Sequence, residues 1–165
     1  FFPRLVVPFS MLISTLLRSG IQFSVFLAVW MSYLLRGVEF EATRYIFLTP
    51  ICFFIFAVLG MGGGIIFSSL TTKYRDLQYL ITFGLQLLMY STPIIYPASI
   101  LSESGKKVLF FNPLANLVNA FRFGFFGKGE FSWIGIGYSA LFAVLLLLFG
   151  FVIFNRTEKN FIDNI

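Results

Sequence analysis

The sequence contains no histidine, one cysteine and only seven acidic residues among 165. Without histidine, the usual acid/base catalyst near neutral pH and the commonest metal ligand are both missing. A single cysteine, Cys52, excludes a disulfide framework. The acids stand almost entirely in the polar breaks between apolar runs, and Glu39 and Glu41, two apart on a turn, make a poor acid/base pair. No GxxxxGK[ST] stretch occurs, which excludes ATP binding through a phosphate loop of that kind. The nearest stretch, GKGE at 127–130, lacks both the leading glycine spacing and the hydroxyl residue. These absences leave no catalytic residue, no metal site and no cofactor to expect.

Charge is scarce as well. Charged residues make up 12% of the chain, against about 25% in soluble domains. What fills the space is apolar: 58% hydrophobic residues, 20% aromatic, and a mean hydropathy of +0.90. A water-soluble fold of this length could not hide so much apolar surface, so the chain belongs in a membrane. The net charge of +5 is spread along the sequence. That excludes a nucleic-acid partner and favours lipid headgroups or phosphates. The sequence opens FFPRLVVPFS, with neither an initiator methionine nor the regions of a signal peptide, and further sequence upstream is expected.

A helix needs about 20 apolar residues to cross a bilayer. Four segments are expected to do so: 9–35, 45–70, 77–92 and 131–154. An insert at 93–130 is too broken to span, and a polar tail follows at 155–165. An all-α, polytopic transmembrane helix bundle results, a single domain over 1–165 with short re-entrant or interfacial helices in the insert. The positive-inside rule does not orient it. Arg4, Lys73, Arg75, Arg156 and Lys159 on one side balance Arg36, Arg44, Lys106, Lys107, Arg122 and Lys128 on the other.

Two spans carry one-sided polarity. In the first, Ser10, Ser14, Thr15, Arg18 and Gln22 fall within about 140° of one helical face. An arginine at that depth costs roughly 2.5–3.5 kcal/mol on insertion scales unless it meets water, a partner or an interface. It either snorkels or lines a polar path. In the third, Gln78, Thr82, Gln86 and Tyr90 recur every fourth residue. They drift only about 40° per step. Amides inside so short a span need partners or water, so this face serves either interhelical hydrogen bonding or a wet path. The second span contains GMGGG, where Gly60 and Gly64 form a GxxxG expected to let another helix approach. Pro50 and the glycines make a bend credible. In the insert, Asn112 is expected to cap a helix that starts at Pro113. Phe131, Trp133 and Tyr138 read as an aromatic belt at the start of the last span.

Three stretches resemble one family. FFPRLVVP resembles the (F/Y)FPR stretch of type-2 ABC exporter permeases. YRDLQYLITFGLQLLMYSTPIIYP resembles their RD…Q…(S/T)P…YP signature, and FNPLANLVNAFR their NP…FR stretch. Order and spacing match across nearly the whole chain, and the branch resembled is the permease for O-antigen, capsule or teichoic acid chains. The resemblance implies a six-helix permease working as a homodimer with two copies of an ABC ATPase subunit. Such a permease would export a lipid-linked polysaccharide across the bacterial inner (cytoplasmic) membrane. The four spans would be the third to sixth, with the earlier helices upstream. The resemblance also orients the chain, with the Lys73–Asp76 loop and the tail in the cytoplasm and the insert outside.

Roles follow as expectations. Arg4, Arg18 and Arg75 are candidates for phosphate or headgroup contact, since guanidinium matches phosphate bidentately; Arg75 and Asp76 could equally be a pair closing the turn. Gln78, Thr82, Gln86, Tyr90 and Gln22 are channel-lining candidates. Pro93, Tyr96, Asn112, Pro113 and Arg122 are candidates for the exit region. Two other functions compete: an exporter of drugs or small lipids, with a drier path, and a membrane enzyme acting on lipid-linked sugars, which would need a carboxylate or histidine inside the bundle.

Overall fold

The computed structural model describes residues 6–37, 43–94, 102–127, 129 and 131–162. Their regular structure is helical: α1 (Val6–Leu35), a 3-10 turn (Arg44–Leu48), α2 (Thr49–Lys73), α3 (Leu77–Ser91), α4 (Glu103–Phe110), α5 (Pro113–Phe126) and α6 (Trp133–Ile162). Lipid accounts for the uniformity. A bilayer gives backbone N–H and C=O groups no partners, so an apolar segment must bond within itself.

Among the described residues, three helical stretches are long and apolar enough to cross a membrane: Ile13–Leu35, Arg44–Thr71 and Trp133–Arg156. The all-helical expectation holds, but the count by this measure is three where four spans were expected. The difference is α3. Its 15 residues rise about 22 Å, against roughly 30 Å of hydrocarbon. At the other extreme α6 outruns its expected span, because a helix needs no lipid to continue into water.

The breaks fall where backbone chemistry puts them. Pro50 occupies the first turn of α2, where its missing N–H would be unbonded anyway. It therefore starts a helix, and α2 then runs unbroken through GMGGG. Asn112 caps α5 as expected, its side chain accepting from Leu114 N at 3.0 Å with Pro113 next in the chain. Gly127, at φ +64°, ends α5 in the left-handed region open to glycine.

The most extensive packing joins α2 to α6, and the two run parallel: residues 62 and 65 of α2 meet residues 146–150 of α6. The crossing is backbone against backbone. A Cβ added at Gly62 would lie 2.8 Å from Leu147 N, and one at Gly150 would lie 3.1 Å from Gly62 O. The glycines expected to do this, Gly60 and Gly64, face open space within the chain. They are two residues, and hence about 200°, away from the contacting face.

Near the starts of α2 and α6, α5 lies between them. Cys52, Ile55 and Leu59 of α2, Leu117 and Ala120 of α5, and Ile136 and Ala143 of α6 form one buried core. α1 joins through its second half. Phe23, Phe26 and Trp30 meet Phe121 and Phe125 edge-on or tilted, with centroids 5.0–6.3 Å apart. Lipid is as apolar as these side chains, so such seams are held by close packing rather than by the hydrophobic effect.

Candidate functional site: the α3 face and its pinned end

The first half of the site is the end of α3. The chain cannot continue as helix past Pro93, which lacks an N–H. Its missing N–H is the one that would reach Met89 O, so the last helical bond is Thr92 N to Leu88 O at 3.1 Å, and the same carbonyl accepts from Thr92 Oγ1 at 2.8 Å and Ser91 Oγ at 3.0 Å. Thr92 and Pro93 are almost fully buried. Two side chains of the insert reach them. Asn112 uses its Oδ1 to cap α5 and its Nδ2 to donate to Thr92 Oγ1 at 3.2 Å. Arg122 Nη2 donates to the carbonyls of Pro93 at 3.0 Å and Ile94 at 3.1 Å.

The same economy runs through the rest of the insert. Ser139 Oγ lies 2.8 Å from both Pro113 O and Gly135 O, and its single proton serves one at a time. Asn116 Nδ2 donates to Phe110 O at 2.9 Å and Tyr138 Oη to Phe111 O at 3.1 Å, which covers the end of α4. Thr43, just before the 3-10 turn that leads into α2, donates from N to Gly124 O at 3.0 Å and from Oγ1 to Phe123 O at 3.1 Å. At the ends of α4 and α5, carbonyls that water would satisfy in a soluble protein are met here by Asn116, Tyr138 and Thr43.

The second half of the site is the length of α3, which buries none of its residues. Gln78, Thr82, Gln86 and Tyr90 are all exposed. Thr82 bonds back to Gln78 O at 2.9 Å. The exposed surface contains more than the polar series. Tyr79, Phe83 and Tyr90, at 80%, 59% and 62% exposure, fall with Gln86 in a strip only about 60° wide. Tyr79 and Phe83 were not among the sequence candidates. Their 4-3-4 spacing about Gln86 was the available signal, masked by the fourfold repeat of polar residues beside it.

The remaining candidates are dispersed. Pro93, Asn112, Pro113 and Arg122 come together at the pinned end, while Arg75 sits in the turn between α2 and α3 at the other end of the bundle. That turn is closed by backbone bonds, including Leu77 N to Tyr74 O at 3.2 Å. Neither Arg75 nor Asp76 forms an ion pair among the described residues. Arg18 and Gln22 are exposed on α1. Arg4 and Tyr96 lie outside the described residues. No group of three or more metal-ligating side chains occurs among the described residues.

Residues 1–126 match the family described as ABC-2 type transporter. The chain belongs to the ABC-2 type transporter family. Relatives of this ABC-2 chain include an O-antigen export system permease protein RfbA of Klebsiella pneumoniae, 28% identical over 163 residues, which are 98% of this chain and 61% of that protein. The polysialic acid transport protein KpsM of Escherichia coli is 24% identical over 152 residues, 90% of this chain and 55% of that protein. An O-antigen export system permease protein RfbA of Myxococcus xanthus is 24% identical over 123 residues, 73% of this chain and 45% of that protein. The chain thus spans about three-fifths of the length of the Klebsiella relative. Membership places the ABC-2 chain in a membrane, in keeping with its three long apolar helices.

Proposed function

We propose that this chain is the permease part of an ABC exporter that moves a lipid-linked polysaccharide across the bacterial inner membrane. Two copies of a separate ATPase subunit supply the energy, and two permease protomers enclose the path. Relatives named for O-antigen export and polysialic acid transport support the substrate class. The observation that carries the reading is the strip on α3. The amide of Gln86 and the hydroxyls of Tyr79 and Tyr90 there can exchange hydrogen bonds with sugar hydroxyls, and the aromatic faces can stack on sugar rings without holding them. A drug exporter needs no such mixture, and a membrane enzyme needs a carboxylate or histidine inside the bundle, whereas Glu103 and Glu158 of the described helices stand at or near helix ends.

The fourth span belongs to the same reading. Because α2 and α6 run parallel, the chain between them must return along the bundle. α3 is suited to do so, since it begins three residues after α2 and its end is bonded to the start of α5. Single cysteines replacing Arg75 and Arg156, with Cys52 removed, are expected to react with an impermeant thiol reagent only from the cytoplasmic face. Cysteines at Ser102 and Gly129 are expected to react only from outside. Reaction of positions 75 and 102 from the same face would contradict a crossing by α3.

For the path itself, Gln86→Leu is expected to leave folding intact, since the residue is exposed and of similar size to its replacement. Glycan export in the full-length complex is expected to fall roughly tenfold, equivalent to about 1.4 kcal/mol. Normal export at matched expression would mean that the polar series only holds helices together.

A further inference from the structure

α3 is lightly packed: among its described residues only Leu77 and Ile81 are half-buried and the rest are exposed. The helix buries none of its residues, so rotation about its own axis would uncover no core. It is tethered at its start by a short turn and held at its end by bonds to residues 92–94. We propose that Arg122 is a positioning residue, which sets the rotation of α3 so that the Tyr79–Phe83–Gln86–Tyr90 strip faces the path. The proposal rests on the exporter reading above, in which that strip borders an aqueous route.

The chemistry of the contact suits this role. A single guanidinium nitrogen reaches two consecutive carbonyls, Pro93 O at 3.0 Å and Ile94 O at 3.1 Å. The relation between consecutive carbonyls is set by the φ and ψ between them, so bonding both to one nitrogen restricts local orientation and not distance alone. Guanidinium is planar and its donors are rigidly spaced, where an ammonium is a freely rotating point. The acceptors are main-chain atoms, so the link is indifferent to the side chains α3 carries. Arg122 itself stands on α5, whose Ala115, Leu117 and Phe125 are buried, so the fixed partner is the core. The tie from Asn112 to buried Thr92 Oγ1 acts in the same sense. Rolling α3 would break the bonds from Arg122 to Pro93 O, which is half-buried, and to Ile94 O.

The test is the pattern of water access around α3 in the full-length complex in membranes, with Cys52 removed. Single cysteines at Gln86 and Leu85 are labelled with a small water-soluble maleimide, with and without Arg122→Gln. In the unaltered background position 86 is expected to react faster than 85. With Arg122→Gln the ratio is expected to fall to about one, because an unpinned helix averages its faces. Arg122→Lys is expected to restore part of the contrast. A purely structural role would lower thermal stability without changing the ratio, so melting of each variant is followed alongside. If Arg122→Gln does not assemble, Arg122→Lys takes its place, and its ratio must fall part of the way. A contrast that survives Arg122→Gln, or is unchanged by Arg122→Lys in its place, overturns the positioning role alone. Equal reactivity of 85 and 86 in the unaltered background overturns the path reading and this proposal with it.

Discussion

Gly62→Val is expected to prevent stable association of α2 with α6. Even a bare Cβ at position 62 would lie 2.8 Å from Leu147 N and 3.0 Å from Leu146 C. Both are main-chain atoms on a regular helix, so neither can swing aside as a side chain would. The helices would have to part, and the contact between Gly150 and Gly62 would open with them. Overpacking a core typically costs 1–3 kcal/mol. Separating two helices in lipid, where packing is the main attraction, is expected to cost about 3 kcal/mol or more. The comparison is Gly60→Val, two residues away and facing open space. It is expected to cost no more than a few tenths of a kcal/mol, and Gly60→Ala to stabilise the helix by up to about 1 kcal/mol. Thermal inactivation in detergent, read by loss of the monodisperse peak, separates the cases. Equal behaviour of the two valine variants would show that the crossing is elsewhere.

Phe125→Ala is the second large effect. This ring is 1% exposed and packs against Phe121, Phe26 and Trp30 at 4.7, 5.0 and 5.5 Å between centroids. It is the keystone of the seam by which α1 joins the bundle. Truncating a buried phenylalanine costs about 3–5 kcal/mol through lost contacts and the void left behind. Phe125→Ala is therefore expected to lower the melting temperature sharply and to loosen α1, seen as faster labelling of a cysteine at Phe26. Phe54→Ala, at a position 70% exposed, is expected to do neither. A similar melting shift for both would remove the seam as the site of attachment.

Much of this was legible in the sequence because lipid narrows the choices. Apolar runs had to be helices, and Pro93, Asn112 and Pro113 marked ends that local backbone chemistry alone decides. The family followed from the order of three short motifs. What stayed hidden depends on which faces meet. GMGGG offered several small-residue pairs, and only the approach of Leu146–Gly150 from another part of the chain selects Gly62 over Gly60 and Gly64. Arg122 read as an exit residue, but its acceptors are carbonyls 28 and 29 residues away, and carbonyls leave no trace in a sequence. Ser139 is one small residue in an apolar run and drew no notice in the sequence. Its bond to Pro113 could not be seen before α5 was placed.

The shortness of α3 has a consequence for the solvent itself. α1 and α6 have 30 residues each and α2 has 25, against 15 in α3. With α3 as a fourth crossing, the bundle would hold three helices that tilt to suit any ordinary bilayer and one that is too short for most. Hydrophobic mismatch costs fractions of a kcal/mol per Å, and the shortfall of about 8 Å falls on a single element. Lipids with shorter acyl chains would relieve that strain and longer ones increase it, so membrane thickness would act directly on the helix that carries the candidate path.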